Sequence, residues 1–226
     1  RFITWAFPTW IAPLFNRFEP LDEGTLRSRL ENLLARCGFK SNGMYVMDGS
    51  RRSAHGNAYF TGFGRNKRIV FFDTLLEGLE EEQVEAVLAH ELGHFKRRHI
   101  LKMLLVSAGF SLAGLALLGW LSQQPWFYTG LGVARQSDAL ALVLFVLMMP
   151  VFTVFLAPLM AAFSRKHEFE ADAFAAEQTH AQALIDGLVN MYRDNAGTLT
   201  PDPLYSAFHD SHPPAPVRIA HLSSQA

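Results

Sequence analysis

The chain has 226 residues, half of them hydrophobic and only 18% charged, with a net charge of −1. Soluble domains average nearer 25% charged, so the composition leans toward a membrane, and the near-neutral balance gives no footing for a nucleic-acid surface. The single cysteine, Cys37, excludes an intrachain disulfide and any cysteine-based metal site, leaving histidines and carboxylates as the available ligands.

Opening at Arg1 without methionine or a signal pattern, the chain reads as a piece of something longer. Residues 1–18 are rich in Trp and Phe but are broken by Pro8 and Pro13, which suits an arm at the membrane interface better than a spanning helix. Residues 22–36 predict a helix, with acids at its start, Leu26, Leu30, Leu33 and Leu34 on one face, and Gly38 just past its end. Between residues 43 and 73 three short apolar runs, 44–47, 58–60 and 69–72, are bounded by Gly, Asn and Asp, and predict a small antiparallel sheet. The edge of such a sheet can align an extended peptide by main-chain hydrogen bonds. Thr74-x-x-Glu77 has the form of a capping box, and Glu80 to Glu82 favour the positive end of the helix that follows.

That helix carries His90-Glu91-Leu92-Gly93-His94. Residues four apart share a helical face, so the two imidazoles can close on one cation while Glu91 takes a proton from water. Val84, Val87, Leu88, Leu92 and Phe95 make one side of the helix apolar. Gly93 costs about 1 kcal/mol against alanine inside a helix, so something must approach the backbone closely there.

Residues 100–120 then form an apolar run whose only charge is Lys102, about 31 Å long as a helix, and residues 139–163 carry no charge at all. Pro150 and Pro158 kink the second run, which membrane helices tolerate. Lys96, Arg97, Arg98, Arg165 and Lys166 flank the pair on one side, while the loop between holds only Arg135 and Asp138; this bias puts the HELGH helix on the cytoplasmic side. A carboxylate ligand after this helix must be Asp138 or lie beyond it, because residues 95–137 contain no Asp or Glu, and Asp138 sits a bilayer away. The positions a metzincin needs are Arg97 and Ile100, which removes that class. His99, five residues from His94, points off the ligand face of a continuous helix and is discounted as a ligand. Glu168 and Asp172 share a helical face while Glu170 points away from both, and spacing alone does not choose between the first two.

HELGH, two hydrophobic spans and Ser164-Arg165-Lys166-His167-Glu168-Phe169-Glu170-Ala171-Asp172-Ala173-Phe174 together resemble the type I CAAX prenyl protease family of membrane zinc endopeptidases, relatives of the bacterial HtpX proteases. The likeness extends through Arg52 to Phe60, Asn66 to Glu77 and Ser211-His212-Pro213-Pro214. The resemblance implies a mainly α, membrane-embedded, zincin-like metalloprotease with a small antiparallel sheet and a two-helix transmembrane hairpin. It implies Zn2+ held by His90, His94 and Glu168, catalysis by Glu91 with His212 facing the substrate carbonyl, Asn57 and Ala58 aligning the substrate, and Asp172 bracing the site from behind. His167 departs from the aromatic residue that relatives often have there. Four regions follow: an interface arm (1–20), a metalloprotease region (21–99), the hairpin (100–163) and a third-ligand and C-terminal segment (164–226). The implied partners are membrane lipid and a peptide or protein substrate such as a prenylated C-terminus, with no nucleic acid. Two other readings are an HtpX-like quality-control protease and a zinc-stabilised scaffold without catalysis, although a scaffold has no use for Glu91.

Overall fold

A computed structural model of the chain describes residues 12–53, 55–61, 68–194 and 200–224, so most of the predicted interface arm, residues 1–11, lies outside the described residues. In chain order come α1 (Ala12–Phe15), β1 (Phe18–Pro20), α2 (Thr25–Arg36), β2 (Met44–Met47), a 3-10 turn (Gly49–Arg51), β3 (Ala58–Thr61) and β4 (Arg68–Phe72). The remainder is helical: α3 (Asp73–Gly78), α4 (Glu81–Lys96), α5 (His99–Leu121), α6 (Pro125–Gly130), α7 (Asp138–Thr153), a 3-10 turn (Val154–Leu156), α8 (Ala157–Gln178), α9 (Ala181–Asp194), α10 (Pro203–His209) and α11 (Ala215–Ser223).

All three predicted strands form, but the sheet is mixed rather than antiparallel, in the order β1-β2-β4-β3. β1 and β3 pair antiparallel to β2 and β4, whereas β2 and β4 run parallel, Met44 opposite Ile69 and Met47 opposite Phe72. The physical reason is burial. Ile69, Val70 and Phe71 are all buried, so β4 belongs in the middle, and because β3 runs opposite to β2, pairing antiparallel to β3 makes β4 parallel to β2. β1 was not anticipated; Pro20 ends it at the sheet edge, where a missing N–H is tolerated. β3 forms the opposite edge.

The capping expectation also needs correction. Thr74 donates its hydroxyl to the His55 carbonyl at 3.1 Å, and the helix that begins at Asp73 stops at Gly78. The capping box sits six residues later, where Glu80 and Gln83 cap α4 reciprocally. α4 is the core helix: Leu88 and Leu92 pack with Leu30 and Leu33 of α2, Phe71 of the sheet, Leu184 of α9 and Leu222 of α11. On its outer face buried Glu85 is held by Arg29 at 3.1 Å and Arg36 at 3.0 Å.

α4 does not run straight into the first span. It ends at Lys96, and Arg98 takes the left-handed conformation, φ 56 and ψ 39, before α5 begins at His99. α5 and the rod from Asp138 to Gln178 are long and apolar enough to cross a membrane. Within their apolar stretches most side chains are uncovered; Leu112, Leu147 and Phe155 are 68%, 67% and 72% exposed. A helix apolar on every side and uncovered by protein fits lipid. The far ends are closed by α6, whose Tyr128 donates its hydroxyl to the carbonyls of Ser122 at 3.0 Å and Ser137 at 3.4 Å. Pro150 and the 3-10 turn bend the second arm without ending it, so α8 continues the rod into the polar segment.

Candidate active site

α4 and α8 pack tightly at Gly93. A Cβ there would lie 3.0 Å from the Ala171 Cα and 3.1 Å from the Ala171 carbonyl oxygen, so the predicted close approach is helix α8 itself. That contact brings Glu168 over the histidine face. The Nε2 atoms of His90 and His94 are 3.1 Å apart, and Glu168 places one oxygen 3.6 Å from His90 Nε2 and the other 3.4 Å from His94 Nε2. Ligand atoms about 2.0–2.1 Å from one tetrahedral metal ion stand about 3.3–3.4 Å from each other. The three side chains therefore fit a small divalent cation.

Each group around this triangle has a defined neighbour. His90 donates from Nδ1 to Asp172 at 2.8 Å, and Asp172, fully buried, also accepts two bonds from Arg218 at 2.5 and 2.8 Å. His212 approaches from the C-terminal segment and puts Nδ1 3.1 Å from Glu168 Oε2, with its side chain still 71% exposed. His94 Nδ1 lies 2.9 Å from Nδ1 of His99, whose Nε2 is 3.0 Å from Glu170. Asn57 precedes the edge strand β3 and Ala58 opens it; both border the same cleft of about 320 Å³ as Glu91, His212 and Arg218. Leu75, Leu184, Leu188 and Met191 form the apolar side of that cleft.

Charge in the site follows from burial and these partners. Burial raises the Glu91 carboxyl above the usual range, toward the proton affinity of a useful base. Burial, with His90 beside it, lowers His94 to about 4, so its ring is neutral and a lone pair is available. Burial also opposes charge on His90, but the bonds to Asp172 and Glu168 outweigh it and raise that ring. The hydrogen bond to Glu168 raises His212 and favours its donor form. Arg218 stays charged despite burial because Asp172 pairs with it.

The structure thus brings together every side chain singled out from the sequence: His90, Glu91, His94, Glu168, Asp172, His212, and Asn57 with Ala58. Sequence reasoning missed Arg218 and the His99–Glu170 pair. A lone arginine among the apolar residues of α11, six residues after His212, was the available signal for the first.

An HExxH helix with its carboxylate partner on a second helix is the arrangement of the gluzincin metallopeptidases. The comparison with known families agrees: residues 20–226 match the model described as "Peptidase family M48". This chain belongs to peptidase family M48. It is 36% identical over 231 residues to "CAAX prenyl protease 1" of Saccharomyces cerevisiae, covering 95% of this chain and 51% of that protein. It is 33% identical to the human "CAAX prenyl protease 1 homolog", covering 96% and 54%. The crystal structure of S. mikatae Ste24p superposes with a TM-score of 0.86 at 35% identity, covering 97% of this chain and 55% of that one. The chain spans about half the length of the curated relatives it matches. The two uncovered apolar helices and this likeness mark it as an integral membrane protein.

Proposed function

We propose that this chain is the catalytic part of a zinc-dependent membrane endopeptidase acting on prenylated C-termini, as the names of its relatives imply. The observation that carries the reading is the triangle of His90, His94 and Glu168 at tetrahedral spacing, beside a half-buried Glu91 and the edge strand β3 of the described sheet. Zinc held there supplies a Lewis acid and acidifies water. Glu91 takes the proton from the attacking water and returns it to the leaving amine. His212, moving off Glu168, donates to the developing oxyanion. Asn57 and Ala58 pair with the substrate backbone along β3, and the apolar side of the cleft receives a side chain next to the scissile bond. Asp172, fixed by the Arg218 fork, orients His90 so that Nε2 faces the metal. The basic residues at the two near ends of the hairpin put this chemistry on the cytoplasmic side.

The test is cleavage of matched prenylated and unprenylated peptides by the full-length protein in lipid, with and without a chelator. Chelator-sensitive cleavage of the prenylated peptide alone supports the proposal. Equal cleavage of both points to a general membrane protease, and chelator-insensitive cleavage overturns the zinc reading.

A further inference from the structure

Resting on the zinc reading above, we propose that His99, held in turn by Glu170, is the positioning residue for His94. Its Nδ1 accepts the His94 Nδ1–H and so keeps the His94 Nε2 lone pair turned toward the metal.

The proton assignment follows from the contacts. His94 Nε2 faces His90 Nε2 at 3.1 Å and Glu168 at 3.4 Å, so a ring that ligates from Nε2 carries its proton on Nδ1. Among the described residues that N–H is given to His99 Nδ1, 2.9 Å away. His99 then carries its own proton on Nε2, 3.0 Å from the Glu170 carboxylate. The reverse assignment would leave a proton on His94 Nε2, pointing at Glu168 and closing the ligand position. With both rings neutral, one arrangement satisfies every bond, and it is the one that binds metal.

The backbone is built to make this contact. Five residues along an unbroken helix advance the side chain by about 500°, which leaves it roughly 140° away from the starting face. His99 nevertheless meets His94, because the chain breaks between α4 and α5. Arg98 is the only non-glycine residue with positive φ among the described residues, a conformation costing roughly 1–2 kcal/mol. A strained backbone at an exposed arginine has no local use, but it swings His99 back beneath the histidine face. The ring is then fixed in plane: His99 is 3% exposed and stacks on His167 at 4.1 Å and 11°, with Phe163 edge-on to His167 at 4.4 Å. Glu170 is steadied by Lys102 at 3.5 Å and Lys166 at 4.0 Å. His90 has the equivalent support in Asp172 and Arg218, so each histidine of the pair has its own brace.

The test is the zinc affinity of the full-length protein in detergent, by competition with a chromophoric chelator, together with the absorption spectrum of the cobalt-substituted form. His99→Phe keeps a ring against His167 but cannot accept a hydrogen bond; it is expected to weaken zinc about 10- to 100-fold and to change the cobalt bands. His99→Asn places an amide oxygen near the lost Nδ1 and should recover most of the affinity. Zinc binding by His99→Phe within about twofold of the parent, or no recovery in His99→Asn, overturns the proposal. Should His99→Phe fail to fold, Glu170→Ala decides: it leaves both rings in place, severalfold weaker zinc supports the brace, and unchanged affinity removes it. A parent protein that binds no zinc, or binds it as well after His94→Ala, fails at the zinc reading itself and takes this inference with it.

Discussion

Replacing Gly93 by alanine separates metal binding from fold stability. The added methyl would meet the Ala171 Cα at 3.0 Å, the Ala171 carbonyl oxygen at 3.1 Å and the Phe174 Cβ at 3.2 Å. Carbon atoms prefer about 3.5–4.0 Å, so α8 must retreat from α4 by roughly 0.5–1 Å, and two of the obstructing atoms are backbone that cannot rotate away. Overpacking of this kind costs about 1–3 kcal/mol, while alanine in place of glycine returns about 1 kcal/mol of helix propensity. The net change in stability is therefore small, about 0–2 kcal/mol. Metal–ligand distances hold to within about 0.2 Å, and Glu168 moves with α8 while His90 and His94 stay on α4. Zinc affinity should fall at least about tenfold, a loss of about 1.4 kcal/mol or more. Thermal unfolding of the metal-free protein and a zinc competition titration measure the two effects. Zinc affinity within about twofold of the parent would show that the α4–α8 spacing does not set the ligand triangle.

Glu91→Gln should keep zinc and lose hydrolysis by roughly 10²- to 10⁴-fold, measured by metal analysis beside peptide turnover; retained turnover removes Glu91 as the base. Glu168→Ala should weaken zinc at least about tenfold more than Glu170→Ala, since one removes a ligand and the other only the brace behind His94; equal losses would contradict the ligand assignment. Arg218→Ala leaves buried Asp172 with only the His90 bond to offset its charge and should destabilise the protein by up to about 3–5 kcal/mol, with Arg218→Lys intermediate because it keeps the charge without the fork. A melting temperature for Arg218→Ala equal to the parent's would mean that Asp172 finds another partner.

What could be read from the chain was whatever repeats at the helix period. His90 and His94, four apart, and Glu168 and Asp172, four apart, each had to share a face, and the acid-free run after His94 pushed the remaining ligand past the hairpin. What escaped depended on contacts distant in the chain. Arg218 reaches Asp172 across 46 positions and Glu170 reaches His99 across 71, with no local pattern to announce either. His99 was set aside because an unbroken helix would turn it away, and the break rests on an arginine in a conformation that arginine rarely signals. Alternating strand residues identify a strand but not its neighbour, so the parallel pairing of β2 with β4 was invisible. Thr74 and Glu77 fitted a capping pattern, yet the threonine hydroxyl is committed to His55.

The rod that runs from Asp138 to Gln178 also measures depth. Glu168 rides five residues beyond Phe163, the last residue of the apolar run, which at about 1.5 Å per residue is about 8 Å along the axis. A lipid headgroup layer is of similar thickness, roughly 5–8 Å on each side of the hydrocarbon. The His90–His94–Glu168 triangle is thus suspended at a preset height, about one headgroup layer beyond the apolar run. On the proposed function, a substrate would be selected by how far its scissile bond stands from its anchor, and a thicker or thinner bilayer would shift that gauge without altering any residue of the site.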